Sequence, residues 1–505
     1  MPAGMSVFDY SWELPPAPEV GMLVQIPFRK KILFGIISEL PLSTAFTVRP
    51  IPDQTPVKVL STPEVAWLTA LASELNSTIG NLARYSLPSP SKRTYQALTR
   101  TELAEIMPRE APTAIKCAWY FDAESHDAAV LAAMCQLAKS KRVIALVAPS
   151  NERAEELVRL LSGHRADHEI IHYHPESAPR RRAAWLAWTG GSKKIILVGT
   201  HALTWLPFAG DGAWAVDEPT HPFHTQWDGI NYDNRQILES RRINLGDSVT
   251  LIGHSPHTLD LNRIATVPSL ATWPTIVDRT AEEPRNRRLF LSPVLEDAIE
   301  RSQRLIFFVP HLREATHALC KDCGALQPFE TVNAQAQCVT CSGTQFLLMG
   351  LGAQSLVREL RELAVVNAAD EIILADARSE QLARATEAVE QIYSTEHRII
   401  VIATAPLAYS VDLGWFDTVI DLSPDFELIH PHLRSEESIW NRLRAMSTRL
   451  PRAWAGAWYV QTRRPALSAW SVRDFDGFTR WWISEKVLRK RFNQAPYGRL
   501  DFLRK

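Results

Sequence analysis

Two series of short apolar runs, each separated from the next by segments with helical spacing, constrain the fold of this chain more than any other feature. The first series is Val143–Pro149, Ile195–Thr200, Trp214–Glu218 and Val249–Gly253. The second is Leu305–Pro310, Glu371–Ala377, Arg398–Thr404, Thr418–Leu422 and Trp458–Thr462. Such runs read as strands buried on both faces, and strands that alternate with helices read as parallel sheets. The expected fold class is therefore α/β, with two parallel-sheet lobes. Ahead of them, Gly21–Pro27 and Ile32–Glu39 are β-rich and joined by the basic turn Arg29-Lys-Lys31, which predicts a small N-terminal β domain. Apolar positions Val65, Leu68, Leu71 and Leu75 have helical spacing over 63–84. Ser86–Lys92 has the proline and serine content of a linker. Neither an internal repeat nor a long low-complexity segment is visible.

The chain's 505 residues accommodate three or four domains at ~100–200 residues each. No apolar stretch approaches the ~20 residues of a membrane span, and the N-terminus lacks the charged-then-apolar pattern of a signal peptide. These features lead to the expectation of a cytoplasmic protein with no membrane contact. A net charge of −1 supplies no global attraction to nucleic acid, so any such contact needs local patches. Three basic stretches qualify: Arg29-Lys-Lys31, Arg180-Arg-Arg182 and Lys486 with Arg489-Lys-Arg491. Charge runs are more often solvated faces. Most of the 16 tryptophans lie in apolar segments and are expected in the core.

Four of the six cysteines form two CxxC pairs, Cys320/Cys323 and Cys338/Cys341, with 14 residues between them. Four thiolates at this spacing can close a tetrahedral shell around one Zn²⁺ and leave no open position, which predicts a structural zinc ribbon at 317–345. The alternative is a redox or fortuitous pairing. Cys117 and Cys135 stand alone and read as small buried hydrophobes.

The first lobe lacks one element of a nucleotide-driven motor. Its strand Val143–Pro149 should be preceded by a glycine-rich loop ending in Gly-Lys-Thr/Ser, whose N–H groups and lysine hold phosphates. The segment there, Trp119-Tyr-Phe-Asp-Ala-Glu-Ser-His-Asp127, has no glycine and no lysine. Its acidic residues Asp122, Glu124 and Asp127 would repel a triphosphate. Asp217-Glu218 does sit at a strand end, as a metal-holding pair would. Solvated or structural carboxylates are the alternative.

Taken in order, the motifs resemble those of the PriA family, the bacterial replication-restart helicases also called primosomal protein N′, over nearly the whole chain. Val7-Phe-Asp-Tyr10, Val24-Gln-Ile-Pro-Phe28 and Gly35-Ile-Ile37 are similar to the family's domain for DNA 3′ ends. The stretch His172–Trp185, Gly199-Thr-His-Ala202 followed by Pro207, Asp217-Glu-Pro-Thr-His221 and Gly253-His-Ser-Pro-His257 follow the order of its lobe 1 motifs. Met349-Gly-Leu-Gly-Ala-Gln354 and Ala495-Pro-Tyr497 resemble later ones. The family's phosphate-loop lysine falls near His126. Its Gly-Thr-Gln-Met motif has become Ala403-Thr-Ala-Pro406. Its glycine-flanked arginine finger falls near Leu443–Arg452, without glycines. The family's inner four cysteines are absent, and against the family pattern a winged-helix domain near 93–110 and most of the C-terminal domain are expected to be missing.

The resemblance implies two RecA-like helicase lobes at 111–270 and 285–475, preceded by a 3′-end-binding β domain at 1–92 and followed by a tail at 476–505. It implies a DNA pocket of Phe8, Asp9, Tyr10 and Arg49, with Arg29, at a position where the family has glycine, and Lys30 beside it. An aromatic face stacks on a base, the carboxylate accepts from a free 3′-hydroxyl, and Arg49 pairs with phosphate. Core aromatics of a small barrel are the alternative for Phe8 and Tyr10. It implies one zinc ion on Cys320, Cys323, Cys338 and Cys341. The implied partners are forked, 3′-ended or single-stranded DNA, single-strand-binding protein and other primosome proteins. With the phosphate loop, lysine and finger lost together, the expected activity is replication-restart scaffolding on DNA without ATP hydrolysis, and no catalytic residue is assigned. The competing readings are an ATP-dependent 3′–5′ helicase with an atypical nucleotide site, in which Asp217 and Glu218 hold metal, and a module that binds only protein.

Overall fold

The computed structural model describes residues 8–87, 115–256, 269–280, 290–375, 398–429 and 435–497, apart from interruptions of three residues or fewer and 376–397 between them. The expected linker beyond Leu87, the segment 93–110, His257 and Ala495-Pro496 lie outside the described residues. The described residues form two compact units, one from residues up to 256 apart from the turn 120–125, the other from that turn and the residues from 269 onward.

The first unit opens with short strands β1 (Tyr10–Ser11), β2 (Met22–Phe28), β3 (Lys31–Ile36), β4 (Arg49–Pro50) and β5 (Val57–Lys58). Strand β2 lies antiparallel between β3 and β5, and β1 pairs in parallel with β4. The single helix expected over 63–84 is two, α1 (Thr62–Glu74) and α2 (Ile79–Ser86). A capping box of Ser61 and Glu64 starts α1. The break comes at Asn76, which has φ +48°, and the Thr78 side chain caps the next helix. Apolar periodicity runs through such a break unchanged, so the sequence pattern hid it.

A six-stranded parallel sheet follows, built of β6 (Lys116–Trp119), β7 (Val143–Val147), β8 (Glu169–His172), β9 (Ile195–Gly199), β10 (Ala213–Asp217) and β13 (Ser248–Gly253), in the order β6-β13-β10-β7-β9-β8. The short pair β11 (Thr225–Gln226) and β12 (Tyr232–Asp233) stands apart from it. The sheet's helices are α3 (Ala123–Ala138), α4 (Asn151–Ser162), α5 (Ala178–Thr189) and α6 (Asn234–Leu245). Every residue of β7, β9 and β10 is buried. Helices α1 and α2 share this core. Trp67 of α1 donates to Ser240 Oγ at 3.0 Å, and Trp185 donates to the Ser86 carbonyl at 2.9 Å. Fully buried Arg241 lies 5.0 Å from the Trp67 ring and 4.3 Å from Trp214, and donates to Asp247 at 2.6 Å. The tryptophans thus serve mainly the core, as expected, with Trp185, Trp188, Trp205 and Trp214 at 0% exposure.

The second unit repeats the architecture. Its parallel sheet of β14 (Thr275–Asp278), β15 (Arg304–Val309), β19 (Glu371–Ala375), β20 (Ile399–Thr404), β21 (Thr418–Asp421) and β22 (Ala457–Thr462) runs in the order β14-β22-β21-β15-β20-β19. Ranked along the chain, both sheets read first, sixth, fifth, second, fourth, third. The two sheets are a structural repeat that the sequence does not display. They are RecA-like lobes, as expected. The described helices here are α7 (Pro293–Arg301), α8 (Ala353–Glu362), α9 (Pro424–Ile429), α10 (Ser435–Thr448) and α11 (Phe475–Arg491). Between β15 and α8 a small antiparallel sheet is inserted, with β16 (His317–Cys320) between β17 (Leu326–Pro328) and β18 (Phe346–Met349). At its exit a Cβ on Gly352 would lie 1.7 Å from the Arg313 carbonyl oxygen, so only glycine lets the chain close there.

Three strands of the two parallel sheets went unread in the sequence: β6, β8 and β14. Each is an outer strand of its sheet and carries exposed or half-buried positions, so it lacks the continuous apolar run of an inner strand. Cys117 and Cys135 are a correction. Both thiols are exposed, Cys117 because β6 is an outer strand and Cys135 because it lies on the solvent side of α3.

Arg29 and Lys30 form the two-residue turn joining β2 to β3, and Arg29 has φ +55°. Glycine is favoured at the first position of such a turn. Arg29→Gly is expected to stabilise the chain by about 1 kcal/mol by relieving this conformation, seen as a higher urea midpoint with an unchanged slope.

Candidate functional site

Asp217 ends the inner strand β10 and is fully buried. His126 Nε2, in the first turn of α3, lies 2.6 Å from its Oδ1. Arg153, in the first turn of α4, donates through Nε to Oδ2 at 3.0 Å. The same guanidinium donates to Glu156 and Asp127 at 3.0 Å each. Burial works to raise the Asp217 carboxyl, but His126 and Arg153 outweigh it and hold the group well below the usual carboxylate range. Arg153 is correspondingly held protonated against burial by Asp217. Behind it, Asn234 donates to His224 Nδ1 at 3.1 Å, which leaves the His224 Nε2–H to donate to the Asp217 carbonyl at 2.8 Å. Burial pushes the His224 pKa down, in keeping with a neutral ring. Glu218 is 2% exposed with φ +47°, and its N–H donates to the Ile252 carbonyl at 2.9 Å. Of the two readings for non-catalytic carboxylates, the solvated one is therefore wrong: both side chains are buried.

The N-terminal end of α3 is also filled. Asp122 Oδ1 accepts from the Ser125 N–H at 2.7 Å, and Ser125 Oγ accepts from the Asp122 N–H at 3.1 Å. Burial works to raise the Asp122 carboxyl, but hydrogen bonds from Ser125 and Arg452 together with the Arg452 charge outweigh it and hold the group below its ordinary value. A helix N-terminus is where a bound anion would sit, and here the chain's own carboxylate takes that position. Asp127 meets Arg153, and Glu124 is exposed. Arg153 was not legible as a member of this cluster, because nothing in the spacing of residues 127–217 marks it.

The equivalent strand of the second unit, β21, ends in Asp421, also 0% exposed. Its Oδ1 accepts from the Ser423 N–H at 2.9 Å and its Oδ2 from Arg442 Nε at 3.1 Å, and Arg442 also binds Glu427. The counterpart position in each lobe is thus an arginine–carboxylate pair.

In the inserted sheet the four cysteine sulfurs lie within 4.8 Å of one another. Cys320 and Cys341 are 3.6 Å apart, as are Cys323 and Cys338. Four sulfurs at about 2.3 Å from one ion would be spaced by roughly 3.8 Å, so the set fits a tetrahedral metal ion. The two knuckles have the same backbone. Gly324 N–H returns to the Cys320 carbonyl at 2.9 Å, and Ser342 N–H to that of Cys338 at 2.8 Å, with φ +74° and +59°. Gln327 donates to the Cys338 sulfur at 2.6 Å, a contact that favours thiolate.

The N-terminal candidates gather around the end of β2. Phe8 packs edge-on against Phe28 with ring centroids 5.1 Å apart. Tyr10 donates to the Pro27 carbonyl at 3.2 Å and pairs along the strand with Arg49. Burial raises the Tyr10 pKa against the opposing effect of Arg49. The Arg29 guanidinium lies 5.6 Å from the Phe28 ring, Lys30 is exposed, and Asp9 Oδ2 accepts from Thr44 Oγ1. Phe8 and Tyr10 are half-buried, with part of each side chain packed and part accessible. Of the other basic stretches, Arg180 is exposed. Arg489 is a correction: it is 1% exposed and bound to Glu437 at 3.1 Å and Glu485 at 2.8 Å, so it faces the interior of its unit.

Residues 2–88 match the model of the 3′DNA-binding domain (3′BD) of PriA. Replication restart protein PriA of Rickettsia conorii is 24% identical over 340 residues, which cover 60% of this chain and 52% of that protein. The Rickettsia felis protein of the same name is 23% identical over the same shares. This chain resembles PriA. It spans about half the length of the curated PriA relatives it matches. Solved structures similar to it include an NS3-like helicase from Alongshan virus, 11% identical with TM-score 0.40, covering 76% of this chain and 82% of that one. RecG bound to a three-way DNA junction is 12% identical with TM-score 0.38, covering 82% and 48%. No helix among the described residues is long and apolar enough to cross a membrane.

Removing one member of a buried ion pair costs about 3–5 kcal/mol, so Asp217→Asn is expected to lower the urea midpoint at pH 7 sharply. The folded carboxyl titrates below the unfolded value of about 4, so its stabilisation is present above that pH and is lost as pH falls through and below it. Wild type should therefore lose more stability between pH 7 and pH 3 than Asp217→Asn does, measured by the same denaturation.

Proposed function

We propose that this chain is a PriA-like replication-restart protein that binds the 3′ ends of forked or gapped DNA and does so without hydrolysing ATP. The observation that carries the DNA reading is the match of residues 2–88 to a domain described as binding 3′ DNA. Phe8 and Tyr10 supply aromatic faces, Asp9 a carboxylate, and Arg29, Lys30 and Arg49 the cations. A carboxylate in such a pocket favours a terminal hydroxyl and disfavours a terminal phosphate. Arginine and lysine hold the neighbouring phosphates, so binding weakens with salt.

The absence of hydrolysis is supported by the contacts of Asp217. Phosphoryl transfer needs a carboxylate that holds a metal, N–H groups around the phosphates and a lysine. Here Asp217 is bound by His126 and Arg153, and Asp122 caps the helix where the phosphates would lie. In this reading the lobes, expected at 111–270 and 285–475, act as a platform for DNA and for other primosome proteins, single-strand-binding protein among them. Cys320, Cys323, Cys338 and Cys341 hold one structural zinc ion that braces the insertion at 317–345.

Binding of a fluorescent forked oligonucleotide with a 3′-hydroxyl is expected to exceed that of the same fork with a 3′-phosphate, and Asp9→Ala should abolish the difference. Equal binding of both ends by the wild type would refute the pocket, and no binding to either would leave a purely protein-binding module. Phosphate release with magnesium and ATP is expected to stay at background when the fork is added. Clear DNA-stimulated turnover would establish instead the ATP-dependent 3′–5′ helicase. Elemental analysis of the purified chain should find about one zinc per chain, falling to near zero in Cys338→Ser.

A further inference from the structure

In the loop between β3 and β4, residues 37–48, the Thr44 side chain ties the chain to the candidate 3′-end pocket. Thr44 Oγ1 donates to Asp9 Oδ2 and accepts from the Phe46 N–H at 3.3 Å. This hydroxyl links the carboxylate expected to read the DNA terminus to the backbone of an aromatic residue two positions further on. Threonine commonly fixes a turn in this way. The turn leaves Phe46 with 74% of its surface exposed. A phenylalanine ring left in water forgoes the roughly 1.5–3 kcal/mol that burial would supply. The loop ends in β4, which pairs with β1 and places Arg49 beside Tyr10. The same short stretch thus carries a hydroxyl on Asp9, an exposed ring and a cation.

We propose that this loop completes the pocket: Thr44 orients the Asp9 carboxylate and Phe46 stacks on the base of the 3′-terminal nucleotide. The proposal rests on the 3′-end reading and assigns to it two residues that the sequence motifs do not mark. A carboxylate has two oxygens. With Oδ2 on the Thr44 hydroxyl, the rotation of the group is set and Oδ1 is aimed as the acceptor for a terminal 3′-hydroxyl. Phe8 and Tyr10 are half-buried, and the Phe8 ring packs edge-on against Phe28, so each offers only part of its surface. Phe46, two residues from the Thr44 that holds Asp9, adds an exposed ring to theirs. Every base has a flat face, so this stacking tolerates any sequence, as a device that reads chain ends must. Thr44 is a positioning residue and Phe46 a binding residue.

The test is fluorescence anisotropy of the full chain with three forks that differ only at the 3′ terminus: an ordinary nucleotide with a 3′-hydroxyl, the same with a 3′-phosphate, and an abasic sugar with a 3′-hydroxyl. Phe46→Ala is expected to weaken binding of the first fork roughly 5- to 150-fold, and Phe46→Trp to retain it. On the abasic fork, wild type and Phe46→Ala should bind alike, because the stacking partner is gone. Thr44→Ala should shrink the preference for hydroxyl over phosphate, and Thr44→Ser should restore it. Thermal midpoints of the Phe46 variants should match wild type. The proposal is overturned if Phe46→Ala binds the ordinary fork as wild type does, if it is penalised equally on the abasic fork, or if its midpoint drops, which would make the ring a packing group. A wild type that prefers hydroxyl over phosphate while Phe46→Ala changes nothing would leave the pocket standing and remove this loop from it. A wild type indifferent to the terminus would refute both.

Discussion

A carboxylate buried at the end of an inner strand has to be compensated, and the way Asp217 is compensated governs what the first lobe is able to do. Taking a charge out of water costs several kcal/mol after relaxation. Lobes of this type can meet that cost with a metal ion and a bound nucleotide. Here His126 and Arg153 meet it from within the lobe, one from each of two helices. Asp122 does the same for the N-terminal end of α3 by standing in for an anion. The buried carboxylate is therefore compensated by side chains of the lobe itself. In the proposed function this is how a scaffold derived from a motor keeps its shape.

The second unit follows the same rule. Its strand order repeats that of the first, and the matching carboxylate, Asp421, meets Arg442 and Ser423. Its inserted sheet adds a different kind of constraint. Two knuckles of identical backbone bring four thiols to one point, and Gly352 lets the chain leave the insertion in contact with the carbonyl of Arg313 at its entrance. A small sheet with few buried side chains gains from such a closure what a larger one gains from its core.

Much of this was legible before any coordinates. Inner strands such as Ile195–Gly199 are buried on both faces, and that burial leaves a continuous apolar run in the sequence. The CxxC pairs were legible for a related reason, since ligand chemistry admits few residue types. Outer strands were not legible: Lys116–Trp119 has one neighbour and exposed positions, and so reads as loop. The break between α1 and α2 was missed because the apolar spacing continues across Asn76. Cys117 and Arg489 went wrong in opposite directions. A cysteine was taken as buried by habit of its type, and an arginine as solvated by its basic neighbours, when each was decided by the element next to it.

What the sequence by itself determined is the alternation of buried strands with helices, the paired-cysteine spacing and the absence of a Gly-Lys-Thr/Ser loop before Val143, because each depends on residues close together in the chain. Tertiary structure alone decided that His126 and Arg153 converge on Asp217, that Thr44 ties Phe46 to Asp9, and that the two sheets share one strand order. Those relations join residues far apart in the chain, and their geometry arises only when the sheets assemble and bring strand ends and helix starts to the same edge.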